Sequence, residues 1–245
     1  MKALILAAGY ATRLYPYTKN FPKPLLEIDN KPIIEYLVEK LNRLDCFSEI
    51  IIVTNARFYS HFEKWKKNLK YRGKIRLIND LTRNSRDRLG AVGDMNLVFN
   101  KAGCDDDYLV IGGDNFFQEA LSGFVKQAKG QPEAVTIGVC DVKKKSKARN
   151  YGVVKIGKDN RVVNFWEKPA RPQSSLVAMC LYYFPCSQVG LIKEYQGNPA
   201  HSLDAAGAYI GWLIKQYNNV KGVLFKDYWV DIGDIHTYEK VSKPR

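Results

Sequence analysis

Small and cationic residues follow the first hydrophobic run of the chain within a few positions. In the stretch "KALILAAGYATRLYPYTKNFPKPLLEI", the apolar run ends at Ala8 and Gly9, and Thr12, Arg13 and Lys23 come soon after. Small residues let a backbone turn tightly and approach a large ligand, and nearby cations favour a ligand that is an anion. The spacing therefore predicts an anion-binding loop at the end of a strand. The alternative is an ordinary tight turn with Arg13 on the surface.

The loop lacks two well-known glycine motifs that bind phosphates. The GxGxxG pattern of dinucleotide sites is absent, because Gly9, Ala11 and Leu14 occupy its three glycine positions. The GxxxxGK[ST] pattern is also absent. The loop alone therefore leaves the identity of the anion open.

Two aspartates end other hydrophobic runs of the chain. Asp114 follows "YLVIGG", and Asp231 follows "YWV". Mg²⁺ binds one or two carboxylates and completes its octahedron with phosphate oxygens and water. Two such carboxylates and a basic loop are what a magnesium-dependent nucleotide reaction needs, so we predict Mg²⁺ as the cofactor at Asp114 and Asp231. Turn chemistry is the alternative at Asp114, whereas Asp234 fits the N-cap of the next helix.

The segment "FWEKP" places Glu167 and Lys168 at the end of another predicted strand. The pair is either a charge pair on an edge strand, or an acceptor for sugar hydroxyls beside a cation for a phosphate. The three histidines and five cysteines show no spacing typical of a metal site or a catalytic triad.

Strand and helix patterns must position these residues, and they alternate through the first half. The predicted strands are 4–7, 49–54, 74–79 and 108–113, and the predicted helices are 33–44, 59–69 and 91–99. Repeated β-α-β units with continuous apolar strands predict an α/β fold with a mostly parallel sheet and helices on both faces.

The second half is richer in strands. Its predicted strands are 134–142, 151–156, 161–169, 175–184 and 220–225, and its predicted helices are 187–195, 206–217 and one that begins at Asp234. The sequence "GKDN" at 157–160 is typical of a hairpin turn, and 141–149 is expected to be a loop. We predict one domain over 1–245, with halves at about 1–130 and about 131–245, the second of which is rich in strands and faces the substrate.

Ligands of open α/β sheets collect at the carboxyl ends of the strands. In this chain those ends carry the segments 9–13, 54–55 and 112–115. The loop, its cations and an acidic residue are therefore predicted to lie on one rim of the sheet.

Composition limits the classes of partner. The 245 residues include 38 basic and 25 acidic ones, for a net charge of +13. We interpret the basic clusters at 63–76 and 141–149 as solvated surface, since Phe62, Trp65 and Leu69 form the other face of the first. A polyanionic small substrate benefits from the same positive field, so no nucleic-acid partner is expected. Apolar runs fall short of the roughly 20 residues of a membrane helix, so no membrane partner is expected.

Cellular location follows from two further features. The five cysteines have no CxxC spacing, which suits reduced thiols, and the N-terminus lacks a signal-peptide pattern. We therefore expect a cytoplasmic protein.

Taken together, the motifs resemble those of the sugar-phosphate nucleotidyltransferases, the family that includes glucose-1-phosphate thymidylyltransferase. The segments that carry the resemblance span nearly the whole chain: "LAAGYATRL", "FPKPLLEI", "RLGAVGD", "GDN", "YGVV", "EKP" and "WVDIGD". The resemblance implies a Rossmann-like mixed sheet and a homo-oligomer. It also implies Mg²⁺-dependent transfer of a nucleoside monophosphate from dTTP or UTP to a sugar 1-phosphate, with glucose 1-phosphate as the first choice. The products would be a nucleotide sugar and pyrophosphate.

The resemblance also implies that the half at about 1–130 binds the nucleotide, that the half at about 131–245 binds the sugar phosphate, and which residues act in each. Arg13 and Lys23 would be catalytic, with Arg13 on the leaving pyrophosphate and Lys23 near the α-phosphate and the incoming sugar phosphate. Other roles fall into three sets: nucleotide binding by Leu6, Ala8, Gly9, Thr12, Arg13, Gly90 and Asp114; sugar-phosphate binding by Tyr151, Gly152, Glu167 and Lys168; and magnesium binding by Asp114 and Asp231.

The loop departs from the family pattern, which has glycine where Ala8 and Ala11 stand. If the backbone at Ala11 has a positive φ, alanine costs on the order of 1 kcal/mol there. We expect a usable loop with the methyl group facing away.

Three other functions remain open at this point. A cytidylyltransferase for phosphocholine or another phospho-alcohol would keep the loop, although a choline site favours an aromatic box over Glu167 and Lys168. A catalytically inactive sugar-nucleotide-binding regulatory subunit has no need to keep its charged residues, which here are Arg13, Lys23, Asp114 and Asp231. A basic RNA-binding protein is the third, but recognised aromatic-basic motifs are absent. The base and the sugar are not fixed by the sequence, and we expect them to be selected by 79–94 and by 150–152 and 175–180.

Overall fold

A computed structural model of the chain describes residues 1–71 and 73–242. Its strands are β1 (Lys2–Leu6), β2 (Glu27–Ile28), β3 (Lys31–Pro32), β4 (Glu49–Thr54), β5 (Ile75–Asn79), β6 (Tyr108–Gly112), β7 (Asn115–Phe117), β8 (Val135–Asp141), β9 (Gly152–Ile156), β10 (Val162–Glu167), β11 (Leu176–Phe184), β12 (Val220–Phe225) and β13 (Trp229–Asp231). Its α-helices are α1 (Ile33–Asn42), α2 (Tyr59–Asn68), α3 (Gly90–Ala102), α4 (Leu121–Lys129), α5 (Lys145–Ala148), α6 (Cys186–Val189), α7 (Leu191–Gln196), α8 (Ala206–Tyr217) and α9 (Ile235–Ser242). Short 3₁₀ helices cover Thr12–Leu14, Lys23–Leu25 and Lys158–Asn160.

One nine-stranded sheet runs through both halves of the described chain. Its main path is β10-β9-β11-β6-β1-β4-β5, and β8 joins β11 to β12. Strands β5, β4, β1 and β6 are parallel, whereas β11 is antiparallel to each of β6, β8 and β9. The α/β class with a mixed sheet is confirmed: the sheet's four strands from the first half are parallel, and in the second half only β8 and β12 form a parallel pair among the described residues.

Hydrophobic side chains alternate between the two faces of this sheet. On β1, Ala3 and Ile5 belong to a cluster that includes the buried faces of α1, α2 and α4. Leu4, between them, belongs to the cluster that contains α3, α7 and α8. Helices therefore cover both faces, which is why the parallel strands are apolar throughout.

Helix α4 and the short strands β2, β3 and β7 were not predicted from the sequence, and three predicted segments differ from the observed structure. The segment 141–149, expected as a loop, contains the short helix α5. The helix expected at 187–195 is divided into α6 and α7 at Gly190, a residue that is unfavourable within a helix. The strand expected at 175–184 changes register between Ala178 and Tyr182, because Cys180 has a left-handed backbone with φ of 52°.

Three lysines of the first basic cluster, Lys64, Lys66 and Lys67, are exposed on α2, opposite the buried Phe62 and Trp65. In the ranges that the structure describes, the longest helix is α3 with 13 residues, and none there combines the length and apolarity that a membrane-crossing helix requires.

Candidate functional site

The carboxyl ends of β1, β4 and β6 bring three predicted segments to one rim. Leu6 pairs with Val53 on one side and with Gly112 on the other, so the chain leaves all three strands at the same level. The buried Asn55 then ties two of the loops together, since its Nδ2 donates to the carbonyl of Ala8 at 2.8 Å. The rim predicted from the sequence is therefore present in the structure.

The loop after β1 is held by hydrogen bonds to a strained residue. Ala11 has φ of 47° and ψ of 42°, in the left-handed region. Its carbonyl accepts hydrogen bonds from the amide of Leu14 at 2.9 Å and from the hydroxyl of Thr18 at 2.7 Å. The positive φ that makes alanine costly is thus present, and the exposed Arg13 lies in the short helix that follows.

Asp114, Lys23 and Asp231 form a half-buried charged cluster at the rim. The ammonium group of Lys23 makes an ion pair with Asp114 and donates to the carbonyl of Ile232 at 3.0 Å. Burial opposes ionisation of Asp114, but the charge of Lys23 and its hydrogen bond lower the pKa of that carboxyl overall. Burial and the charge of Asp114 raise the pKa of Asp231. The cluster therefore holds two neighbouring carboxyls and one cation.

One cavity, the loop cavity, lies against the loop after β1 and has a volume of about 520 Å³. All seven residues that the resemblance assigns to the nucleotide line it: Leu6, Ala8, Gly9, Thr12, Arg13, Gly90 and Asp114. Ser85, Arg88 and Asp94 form part of its wall, within the segment 79–94 that we expected to select the base.

A second cavity, the strand cavity, lies against β9, β10 and β11 and has a volume of about 280 Å³. Tyr151, Gly152, Glu167 and Lys168 line it, as do Asp114 and Asp231. Burial raises the pKa of Glu167. The residues assigned to the sugar phosphate thus share a cavity with those assigned to the metal.

The two cavities meet at a common set of residues. Arg13, Asp114, Lys168 and Cys180 line both, so the loop cavity and the strand cavity are parts of one cleft. Lys168, which the resemblance assigns to the sugar phosphate alone, therefore also lines the loop cavity. Lys23 lines neither cavity and lies behind Asp114.

The start of α8 and the residues just before it form part of the wall of the cleft. Gly90, with φ of 77°, begins α3 directly against this segment, and the amide of Val92 donates to the carbonyl of Leu203 at 3.0 Å. Arg88 makes a two-point ion pair with Asp204, at 2.9 and 2.7 Å. A side chain at position 90 would clash with the backbone of Leu203, so glycine is required there.

Several lining residues have no recognisable signal in the sequence. Asp204 and Ala205 lie more than 100 positions from Arg88 and the start of α3, and no motif marks them. Cys180 reaches both cavities because of its left-handed backbone within a strand. Asn115 could have been suspected from "GDN", and it accepts a hydrogen bond from Nε1 of Trp229 at 2.6 Å. These residues are recognised only once the strands are paired.

A second pair of carboxyls lies beside the loop cavity. The hydroxyl of Tyr10 lies 2.9 Å from that of Thr82, which donates to Asp80 at 2.9 Å. Asp80 in turn forms a hydrogen bond with the carboxyl of Asp94, which is 6% exposed. Burial, together with the charge of Asp80, raises the pKa of Asp94 to about 8. At neutral pH Asp94 therefore carries a proton that it shares with Asp80.

Comparisons of the chain with known proteins point to a single family. The nucleotidyl transferase family matches residues 2–244 of the chain. The chain is 30% identical over 233 residues to the bifunctional protein GlmU of Methanocaldococcus jannaschii, with 95% of this chain and 51% of that protein covered. It is 26% identical over 244 residues to the glucose-1-phosphate thymidylyltransferase of Streptomyces antibioticus, with 99% and 65% covered.

A third relative is the bifunctional sugar-1-phosphate nucleotidylyltransferase/acetyltransferase of Sulfurisphaera tokodaii, 28% identical over 233 residues, with 95% of this chain and 52% of that protein covered. The chain thus spans about half the length of the two bifunctional relatives.

A crystal structure of a Bacillus anthracis protein in complex with sucrose has the same fold. That protein is provisionally assigned as a glucose-1-phosphate thymidylyltransferase, and it superposes with a TM-score of 0.80 at 24% identity, covering 99% of this chain and 94% of its own. The fold agrees with the family match, which extends over nearly all 245 residues. The chain belongs to the nucleotidyl transferase family.

Proposed function

We propose that the chain transfers a nucleoside monophosphate from a nucleoside triphosphate to a sugar 1-phosphate, and so produces a nucleotide sugar and pyrophosphate. The observation that carries this proposal is the junction of the two cavities at Asp114 and Arg13. A transfer between two anionic substrates needs two adjoining pockets with charged groups between them, and the cleft has this arrangement.

The chain supplies charge and position to this reaction. A sugar phosphate is already ionised at neutral pH, so attack of its oxygen on the α-phosphorus needs no general base. Neutralisation of charge and alignment of the two substrates then provide the catalysis. Arg13 lies at the junction, where it would stabilise the leaving pyrophosphate, and Lys23 keeps Asp114 ionised from behind.

The strand cavity would hold the acceptor. Glu167 and Lys168 lie at its wall, where a carboxylate accepts hydrogen bonds from sugar hydroxyls and an ammonium group attracts the phosphate. Tyr151 packs against Trp229, with ring centroids 5.3 Å apart, and both rings line the same cavity. Gly90 and the loop from Ala8 to Arg13 would hold the nucleotide on the other side.

Asp114 and Asp231 fit a magnesium site. Their carboxyls are close enough to share a hydrogen bond, and burial first and the charge of Asp114 second raise the pKa of Asp231. A divalent cation between the two carboxyls would offset their mutual repulsion. Within residues 1–71 and 73–242 no group of three or more His, Cys, Asp or Glu could hold a metal, and Mg²⁺ requires only one or two protein carboxylates. When bound, Mg²⁺ would neutralise the phosphate oxygens of the nucleotide.

The first substrates to test are dTTP or UTP with glucose 1-phosphate. The choice is supported by the thymidylyltransferase of Streptomyces antibioticus and by the sugar-1-phosphate nucleotidylyltransferase of Sulfurisphaera tokodaii, whose names describe such reactions. Thymine and uracil differ by one methyl group, worth only about 1–3 kcal/mol in an apolar pocket, so both belong in the assay.

The test is release of pyrophosphate across a grid of nucleoside triphosphates and sugar 1-phosphates, with Mg²⁺ and with EDTA. Release that requires Mg²⁺, one nucleotide and one sugar phosphate together would support the proposal and name the substrates. A row with CTP and phosphocholine covers the cytidylyltransferase alternative. If no pair releases pyrophosphate, while a nucleotide sugar binds in calorimetry, the chain is a binding subunit and the proposal is wrong.

A further inference from the structure

The end of strand β10 packs tightly on the first turn of helix α8. Side chains alternate along a strand, so Phe165 and Glu167 point to the same side of β10, toward α8. On α8 the facing positions are Gly207 and Gly211, four residues apart and therefore on one helix face. The helix presents a strip without side chains to the strand that carries Glu167.

The two glycines differ in how close the strand comes. A Cβ at Gly207 would overlap Oε2 of Glu167 and would lie 2.6 Å from Cζ of Phe165. A Cβ at Gly211 would meet the ring of Phe165 at 3.7 Å, which is ordinary van der Waals contact. Of these two positions, only 207 has no room for a methyl group unless the side chains of Glu167 and Phe165 shift.

Backbone conformation does not explain the glycine at 207. Among the described glycines a left-handed φ occurs at Gly90 and Gly103, whereas Gly207 lies within a regular helix. Alanine is more favourable than glycine in such a helix, so the residue weakens α8 locally. Close approach of the carboxylate of Glu167 and of the ring of Phe165 is the remaining physical reason for it.

Glu167 has few other contacts that fix its carboxylate. The ammonium group of Lys168 is 3.8 Å away and belongs to a half-exposed side chain, so this ion pair restrains Glu167 only weakly. The space above Gly207 therefore determines where Oε2 lies on the wall of the strand cavity.

We infer that Gly207 is a positioning residue for the acceptor site, because it lets the carboxylate of Glu167 lie at the depth where it contacts the hydroxyls of the sugar phosphate. The inference rests on the proposed function, in which Glu167 contacts the acceptor. A methyl group at 207 would push the carboxylate outward and leave the loop cavity unchanged.

The test compares Gly207→Ala with Gly211→Ala, the same exchange one turn later on the same face. We expect Gly207→Ala to raise the KM for the sugar 1-phosphate about tenfold or more while the KM for the nucleotide changes less than about twofold. Gly211→Ala should change both values by less than about twofold. If the two variants have the same acceptor KM, the inference is wrong.

A double-mutant cycle separates positioning from direct obstruction of the cavity. Glu167→Asp withdraws the carboxylate from position 207, so Gly207→Ala should raise the acceptor KM by less than about twofold in that background. An equal increase in both backgrounds would mean that the methyl group meets the substrate itself, and it would overturn the inference.

Two further variants cover the cases in which Gly207→Ala does not fold or Glu167 does not contact the acceptor. If Gly207→Ala does not fold because of the ring of Phe165, the comparison moves to the Phe165→Leu background, which removes that clash and keeps the one with Glu167. Glu167→Gln tests the underlying proposal: an unchanged acceptor KM would overturn the role of Glu167 and the inference with it. A raised KM in Glu167→Gln with none in Gly207→Ala would overturn the inference alone.

Discussion

The loop cavity and the strand cavity are built by different means. The loop cavity lies where the parallel strands β1, β4 and β6 end, so its residues come from the turns that follow them. The strand cavity lies among the antiparallel strands β9, β10 and β11 and the start of α8, and Cys180 reaches it from within a strand. Parallel strands gather loops at one edge by geometry alone, whereas antiparallel strands form a site only through specific packing.

Asp114 tests whether the two cavities act as one site. Because it lines both and neighbours Asp231, we expect Asp114→Asn to lower kcat by about 10³-fold at saturating substrates, a larger effect than at any residue of a single cavity. Steady-state release of pyrophosphate measures kcat, and circular dichroism checks that the variant is folded.

The matched control is Asp106→Asn, which removes another ion-paired carboxylate in the turn before β6. Asp106 pairs with Lys2 on the surface at 2.9 Å, so its loss should leave kcat unchanged. Near-wild-type turnover of Asp114→Asn at limiting Mg²⁺ would show that the junction is not the reaction centre.

Asp94, on the wall of the loop cavity, should make the stability of the folded chain depend on pH. The unfolded chain loses the Asp94 proton near pH 4, whereas burial raises the pKa to about 8 in the folded chain. Between these values the folded chain binds the extra proton, so its stability falls as pH rises and levels off above pH 8. An amide at this position keeps a donor for Asp80, so Asp94→Asn should lack this fall, which amounts to at most about 6 kcal/mol at about 1.4 kcal/mol per pKa unit.

Urea unfolding of wild type and Asp94→Asn at pH 5, 7 and 9 measures this difference. Asp141→Asn serves as the control, because Asp141 has a lowered pKa and is ionised in both states across this range. A constant stability difference between wild type and Asp94→Asn over the three pH values would mean that Asp94 is ionised in the folded protein.

The parallel half was largely predictable from the sequence. Each strand was visible as an apolar run, and the polar residues that matter follow the runs directly, as Gly9 and Asp114 do. The rim then follows from the rule that parallel strands end together. Even the free-energy cost of alanine at position 11 could be stated in advance as a condition, because it depends only on whether φ is positive there.

The strand cavity and the contacts between segments distant in the sequence were not predictable in the same way. The approach of Asp204 to Arg88, the bulge at Cys180 and the fit of Gly207 against Glu167 depend on how segments pack, which no local pattern records. The pair of Asp80 and Asp94 was missed for the same reason, since burial and the approach of Asp80 determine the pKa of Asp94.

Lys168 tests the boundary between the two cavities. The sequence assigned it to the sugar phosphate, but its side chain lines both cavities. We therefore expect Lys168→Met to raise the KM for nucleotide and for sugar phosphate by about tenfold each, the equivalent of one lost charged contact per substrate. Lys155→Met, an exposed lysine on β9 away from both cavities, is the control. An effect on the acceptor KM alone would restore the original assignment.

Ala11 provides the smallest effect and concerns the loop cavity alone. Its left-handed backbone costs about 1–2 kcal/mol for alanine, and glycine would relieve this strain, although the unfolded glycine chain gains freedom that offsets up to about 1 kcal/mol. We expect Ala11→Gly to stabilise the fold by less than about 1 kcal/mol in urea unfolding. The same exchange at Ala128 in the right-handed helix α4 should instead lower stability by about 1 kcal/mol or more. If both exchanges destabilise equally, Ala11 is not strained in solution; a difference of sign would show that the loop retains alanine at a cost in stability.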